Sequence, residues 1–195
     1  YHVGVPVGYA PSGTVSLGAQ VTNGWNNEAE NNSGKTVEGS ITLKPSGKVS
    51  FTENYIAGDE EPTDVSTDTR QVSDTILSYT ASDTIGFAVN YDYGKEGDAS
   101  WQGVALYARD QLTPVWAIAP RYEYYDDGDG FTTLFPQKVQ EFTLTLEAKH
   151  KAGLITRLEY RHDWSNGDFF TGRDGAGKKS QDTIAVGLVL GFSSK

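Results

Sequence analysis

The sequence contains no cysteine. Disulfides, thiolate metal sites, cysteine nucleophiles and covalent haem attachment are therefore excluded. Long hydrophobic runs are missing as well: hydrophobic residues make up 37% of the 195 positions, charged residues 22%, and no stretch of about twenty apolar residues could cross a bilayer as a helix. Positive charge is scarce, with a net charge of −10 and a pI near 4.7. A basic face for phosphates is not available, so nucleic acid is not expected as a partner. Helical periodicity is absent too, since no window of a dozen residues favours a 3.6-residue repeat over alternation. None of these absences excludes a membrane β-barrel, in which half of the strand positions face a polar lumen and hydropathy averages out.

What is present is a recurring segment: APSGTVSL at 10–17, KPSGKVSF at 44–51 and TASDTIGF at 80–87, with starts 34 and 36 residues apart. Each copy is a tight turn followed by an alternating apolar/polar run, the signature of repeated antiparallel hairpins. Alternation between turn signals predicts eleven strands, at 2–9, 14–25, 36–44, 48–56, 71–80, 84–93, 101–110, 114–125, 138–149, 153–164 and 181–192. Short turns at 10–13, 45–47, 81–83, 111–113 and 150–152 alternate with Gly-, Asn- and Asp-rich loops at 26–35, 57–70, 94–100, 126–137 and 165–180. One domain spanning 1–195 accommodates this pattern.

Successive side chains of a strand point to opposite faces. In 154–164 one face carries Leu154, Thr156, Leu158, Tyr160 and Trp164, and the other Arg157, Glu159, Arg161 and Asp163. Trp116, Ile118, Tyr122 and Tyr124 oppose Arg121 and Glu123, while Phe142, Leu144, Leu146 and Ala148 oppose Glu141, Thr143, Thr145, Glu147 and Lys149. Segments 84–93 and 181–192 repeat the split, with Ile85, Phe87, Val89, Tyr91 and Tyr93 opposite Asn90 and Asp92, and Ile184 to Phe192 opposite small residues.

Two architectures share this alternation: a water-soluble barrel or sandwich with the apolar face inside, and a transmembrane barrel with it outside. Three features favour the second. Strands of ten to twelve residues exceed the usual five or six and suit a tilted crossing of the bilayer. Aromatics gather at strand ends, with Trp25, Tyr55, Tyr93, Trp101, Tyr124, Tyr125 and Trp164 near the long loops and Tyr9, Phe51, Phe87 and Trp116 near the short turns, as two interfacial girdles would require. The alternation of short turn and long loop matches periplasmic turns and extracellular loops. The fold expected is all-β, an antiparallel up-and-down transmembrane β-barrel.

Five segments, YHVGVPVGYAPSGTVSLGAQVTNGWNN (1–27), SDTIGFAVNYDYG (82–94), PRYEYYDDGDGFTT (120–133), LEYRHDWSN (158–166) and KSQDTIAVGLVLGF (179–192), resemble the OmpL-like outer-membrane β-barrel porin family, beta-barrel porin-2. The resemblance implies a barrel in the outer membrane of a Gram-negative bacterium, with lipid around it and a presumed channel function for small polar solutes or ions. It also implies that residue 1 aligns with the middle of longer members, so that an N-terminal half or an oligomer would complete the barrel. A start at Tyr1 without initiator Met or signal peptide reads as a mature or truncated product. Barrels of this kind usually end on an aromatic residue, here Phe192, which Ser193, Ser194 and Lys195 follow.

The candidate lumen residues are Arg121, Glu123, Glu141, Glu147, Lys149, Arg157, Glu159, Arg161 and Asp163. They read either as a charged wall that sets ion selectivity or as cross-strand ion pairs filling a small, plugged barrel. The interfacial candidates are Trp25, Tyr55, Phe87, Tyr93, Trp101, Trp116, Tyr124 and Trp164. Asp126, Asp127 and Asp129 sit on a Gly-rich turn that could suit Ca²⁺, but no Glu follows at EF-hand distance, and a solvated loop accounts for them equally. The acidic run Asp59, Glu60, Glu61 and Asp64 reads as a loop that repels anions. With three His and no Ser in register with His150 or His162, neither enzymatic activity nor a cofactor is expected. The rival reading is a non-conducting scaffold whose loops at 57–70 and 165–180 bind a partner or surface glycan.

Overall fold

The computed structural model describes residues 2–29, 32–62 and 68–191, so Asp64 and Phe192 to Lys195 lie outside the described residues. Ten long strands follow one another: β1 (Gly4–Ser12), β2 (Val15–Thr22), β3 (Thr36–Ser46), β4 (Val49–Asp59), β5 (Thr69–Thr80), β6 (Ile85–Glu96), β7 (Ala99–Asp110), β8 (Trp116–Asp127), β9 (Gln137–Lys149) and β10 (Leu154–Ser165). A small hairpin, β11 (Phe170–Thr171) and β12 (Gly177–Lys178), precedes the last long strand, β13 (Ser180–Leu190). The long strands form one eleven-stranded antiparallel sheet in the order β1 to β10, then β13. Such a meander is built entirely from neighbours in sequence, so each hairpin sets the register of the next.

The repeated turn behaves as its sequence predicts. It closes β1–β2, β3–β4 and β5–β6, and Pro11 and Pro45 stand inside the register shifts between Tyr9 and Ser12 and between Leu43 and Ser46. Proline has no N–H to give to the ladder, and a bulge at a strand end is where that loss is cheapest. At the opposite end one expectation fails. Residues 94–100 form no long loop, because β6 and β7 run on to Glu96 and Ala99 and turn over Gly97 and Asp98. Gly97 has φ +55°, the left-handed conformation such a turn needs, and the polar letters around it belong to strand ends rather than to a loop.

Burial is inverted relative to a water-soluble protein. Val7 is 66% exposed, Leu77 46%, Phe87 47%, Leu106 45% and Leu158 51%, whereas Glu96, Asp127, Glu141, Glu147 and Asp163 are buried. Among the described residues the buried hydrophobic side chains are Trp101, Ala117 and Ala148. Apolar exposure on this scale, spread over one face of a sheet, is stable when that face meets hydrocarbon. The apolar face is thus the outer one, and the charged face looks inward. Among the described residues the two edge strands, β1 and β13, are not hydrogen-bonded to each other.

Candidate pore wall

Alternation fixes which side chains reach the inner face, and register decides which of them meet. Arg121 of β8 and Arg161 of β10 both lie directly opposite Thr143 of β9. Their guanidiniums lean the same way and converge on Glu141, Arg121 Nη2 at 2.6 Å from Oε1 and Arg161 Nε at 2.9 Å from Oε2. Thr143 Oγ1 donates to the same carboxylate at 2.5 Å. Arg121 also pairs with Glu123 at 3.0 Å, and Arg161 with Asp163 at 2.7 Å. A second node repeats the design six residues along β9, three repeats of the pleat away. Arg157 pairs with Glu147 at 3.0 Å from β10, and Arg109 reaches it at 2.7 Å from β7. Arg109 crosses β8 because Ala117, opposite Glu147, leaves it room.

Glu159 accepts Thr145 Oγ1 at 2.8 Å, and Lys149 Nζ donates to Gln111 at 2.9 Å. The nine sequence-selected residues therefore share one face, and seven of them belong to the two nodes or their flanks. In each node the carboxylate lies deepest and the guanidiniums are more exposed: the Glu141 side chain is 5% exposed and that of Arg161 43%. On the inner face from β7 to β10 arginine is consequently the more exposed charge.

The wall from β2 to β6 is different in kind. Glu38 Oε2 accepts Gln20 Nε2 at 2.6 Å, and Asp74 accepts amide N–H groups from Asn54 at 2.9 Å and Asn90 at 2.5 Å. Asp92 lies directly opposite Asp74 across β5 and β6. These carboxylates are held by neutral amides rather than by guanidiniums. Near the long loops Arg70 pairs with Glu96 and with Glu61 at 3.2 Å and sits 5.2 Å from the ring centre of Phe131. Phe131 in turn stacks on Trp101 with centroids 4.9 Å apart. The loop that carries Phe131 is anchored by Asp127, whose carboxylate accepts the backbone N–H groups of Phe131, Thr132 and Thr133 and both threonine hydroxyls.

Several sequence expectations are corrected by this geometry. Trp101 is not an interfacial aromatic: it has the inward parity of Gly103 and Ala105, is 8% exposed, and packs over Gly94. Trp25 also turns inward from the β2–β3 loop, its ring against His2. Tyr55, Phe87, Tyr93, Trp116, Tyr124 and Trp164 share the outward parity of the apolar face. Trp164 stands beside Tyr122 and His162 there. The acidic run is not a solvated fringe, because Glu60 is 6% exposed and accepts Thr36 Oγ1 and the Trp25 N–H, while Glu61 pairs with Arg70. Asp126, Asp127 and Asp129 are not brought together: Asp126 meets Lys138, Asp127 the threonines, and Asp129 the Ser100 N–H. Arg109 and Asp74 were missed: parity through 101–110 sets Arg109 on the face away from Val104 and Leu106, whereas in 71–80 Asp74 shares its face with Val72 and Ile76, and only its pairing with Asn54 and Asp92 places it inward.

The profile of the beta-barrel porin-2, OmpL-like, family matches residues 1–192. The chain belongs to this family. Its place is accordingly the outer membrane of a Gram-negative bacterium. A sequence comparison with the curated proteins finds no match. Among solved structures it is similar to the outer membrane channel DcaP of Acinetobacter baumannii, with a TM-score of 0.70 and 16% identity over 95% of this chain and 60% of that one. It is also similar to the NanC porin, with a TM-score of 0.57 and 12% identity over 97% of this chain and 99% of that one. The chain thus spans 60% of the length of the DcaP channel chain. At these identities the likeness concerns the fold, and that fold is an outer-membrane β-barrel.

Proposed function

We propose that residues 1–195 form one barrel domain that lines an outer-membrane channel, through which small polar solutes or ions diffuse passively. The observation that carries this reading is the charged inner face, continuous from Arg109 to Asp163 and set against an apolar outer face. Ion pairs that filled a solid interior would be sealed from water, whereas the side chains of Arg109, Arg157 and Arg161 are 40%, 48% and 43% exposed. An arginine-faced wall opposite an amide-held carboxylate wall sets a transverse field across the lumen, as charged rings do in other pores. Carboxylates outnumber cations on the inner face, so a weak preference for cations follows. A barrel wall exposes no unpaired strand to lipid, so the β1 and β13 edges need partners in the membrane.

Reversal potentials in planar bilayers under a KCl gradient test the reading. Cation-biased conductance supports it, and anion selectivity overturns the field assignment. A chain that inserts into liposomes yet releases no ions is a scaffold instead.

A further inference from the structure

On the carboxylate wall, near the long loops, a cavity of about 390 Å³ opens between β1 and β5. Its lining includes Gln20, Glu38, Asn54 and Asp74, with Trp25 and His2 at one side. The space exists because the register aligns small residues beneath it: Gly8 lies opposite Gly18, and Gly18 opposite Ser40. Trp25 is positioned from below, its backbone N–H held by Glu60 and its ring touched edge-on by His2 at 5.7 Å. No Lys or Arg is among the described lining residues. The two carboxylates accept hydrogen bonds from neutral amides, and His2 Nδ1 lies 2.6 Å from Glu38 Oε1, an ion pair when the imidazole is protonated. Asp92, facing Asp74, adds negative charge at the cavity's β6 side.

We propose that this cavity is a binding subsite for small organic cations, solutes bearing an ammonium or guanidinium group, which rests on the channel reading for its biological role. An indole ring and two carboxylates whose hydrogen-bond partners are neutral amides are complementary to such a group: the ring attracts it through its quadrupole, and the carboxylates through charge-assisted hydrogen bonds. An anionic solute meets repulsion from Glu38, Asp74 and Asp92 together. The arginine nodes of β7 to β10 offer no equivalent place, because each of their carboxylates is already clamped by two guanidiniums.

Calorimetric titration of the detergent-solubilised chain with agmatine, which carries a guanidinium and an ammonium, tests this independently of conduction. Saturable binding is expected, weakened about tenfold by each of W25A, Glu38→Gln and Asp74→Asn. Benzoate and glucose are expected not to bind. Absence of saturable agmatine binding overturns the proposal, as does glucose binding that survives Glu38→Gln, which would make the cavity a sugar site. Should a variant fail to fold, the native chain still decides: agmatine affinity must fall as NaCl rises from about 0.05 to 0.5 M, and salt-independent binding overturns the assignment. A chain that binds agmatine but releases no ions from liposomes fails as a channel while retaining the subsite.

Discussion

Replacing Glu141 by Gln changes charge at the centre of the arginine wall while keeping volume. Glu141 presents Oε1 to Arg121 and Thr143 and Oε2 to Arg161. An amide keeps one acceptor and turns an N–H₂ toward a guanidinium in place of the other. One charge-assisted contact, about 1.5–3 kcal/mol, is lost, and the other falls to neutral strength, so the gross cost is about 2–4 kcal/mol. Arg121 and Arg161 keep Glu123 and Asp163 and are 32% and 43% exposed, so water recovers part of the loss and about 2 kcal/mol is expected. Urea unfolding in lipid vesicles, followed by tryptophan fluorescence, reads this as a lower midpoint.

The same change alters conduction. One elementary charge acting on an ion roughly 7 Å away in water is worth about 0.6 kcal/mol, and about half of that after screening at 0.1 M salt. The interaction has opposite sign for K⁺ and Cl⁻, so the permeability ratio of K⁺ to Cl⁻ should fall about threefold. Reversal potentials in a tenfold KCl gradient measure it. A folded variant with an unchanged ratio would refute the placement of Glu141 on a conducting wall.

Other perturbations test separate parts of the structure. Leu158→Arg puts a cation on the outer face at mid-strand and should destabilise the chain by about 2–4 kcal/mol in vesicles, a cost absent if that face met water; unfolding midpoints distinguish the cases. Gly94→Ala places a methyl inside the Trp101 ring, which would have to leave its stack with Phe131, so about 1–3 kcal/mol of stability should be lost and tryptophan emission should shift to the red as the indole meets water. Asp127→Ala removes the acceptor of five loop hydrogen bonds, and limited proteolysis should then cut within 128–136 much faster than in the native chain.

Parity made much of the wall readable in advance. Leu158 and Glu159 differ by one position, and that difference alone assigns one to the apolar outer face and the other to the charged inner face. The same reasoning failed where a residue type carried a stronger habit than its position. Trp101 looked interfacial because tryptophans at strand ends usually are, but its inward parity and the missing side chain at Gly94 admit it to the interior. The Gly–Lys–Glu–Gly–Asp run looked like a loop because polar and glycine letters mark loops, whereas the strand ends there stand clear of the apolar band and carry polar residues.

From sequence alone came the strand periodicity, the hairpin repeat and the sorting of residues into two faces, since each depends on local backbone geometry. Which face meets lipid became certain with the exposure of Leu77, Phe87 and Leu158 and the burial of Glu141 and Asp163. Partner choice was decided by the sheet alone. Glu141 lies twenty residues from Arg121 and from Arg161, and it is the common register against Thr143, with the lean of each side chain, that brings both to one carboxylate while Glu38 and Asp74 are left to amides. Charge sequence does not specify those distances, because pairing across strands depends on hairpin registers added one to the next.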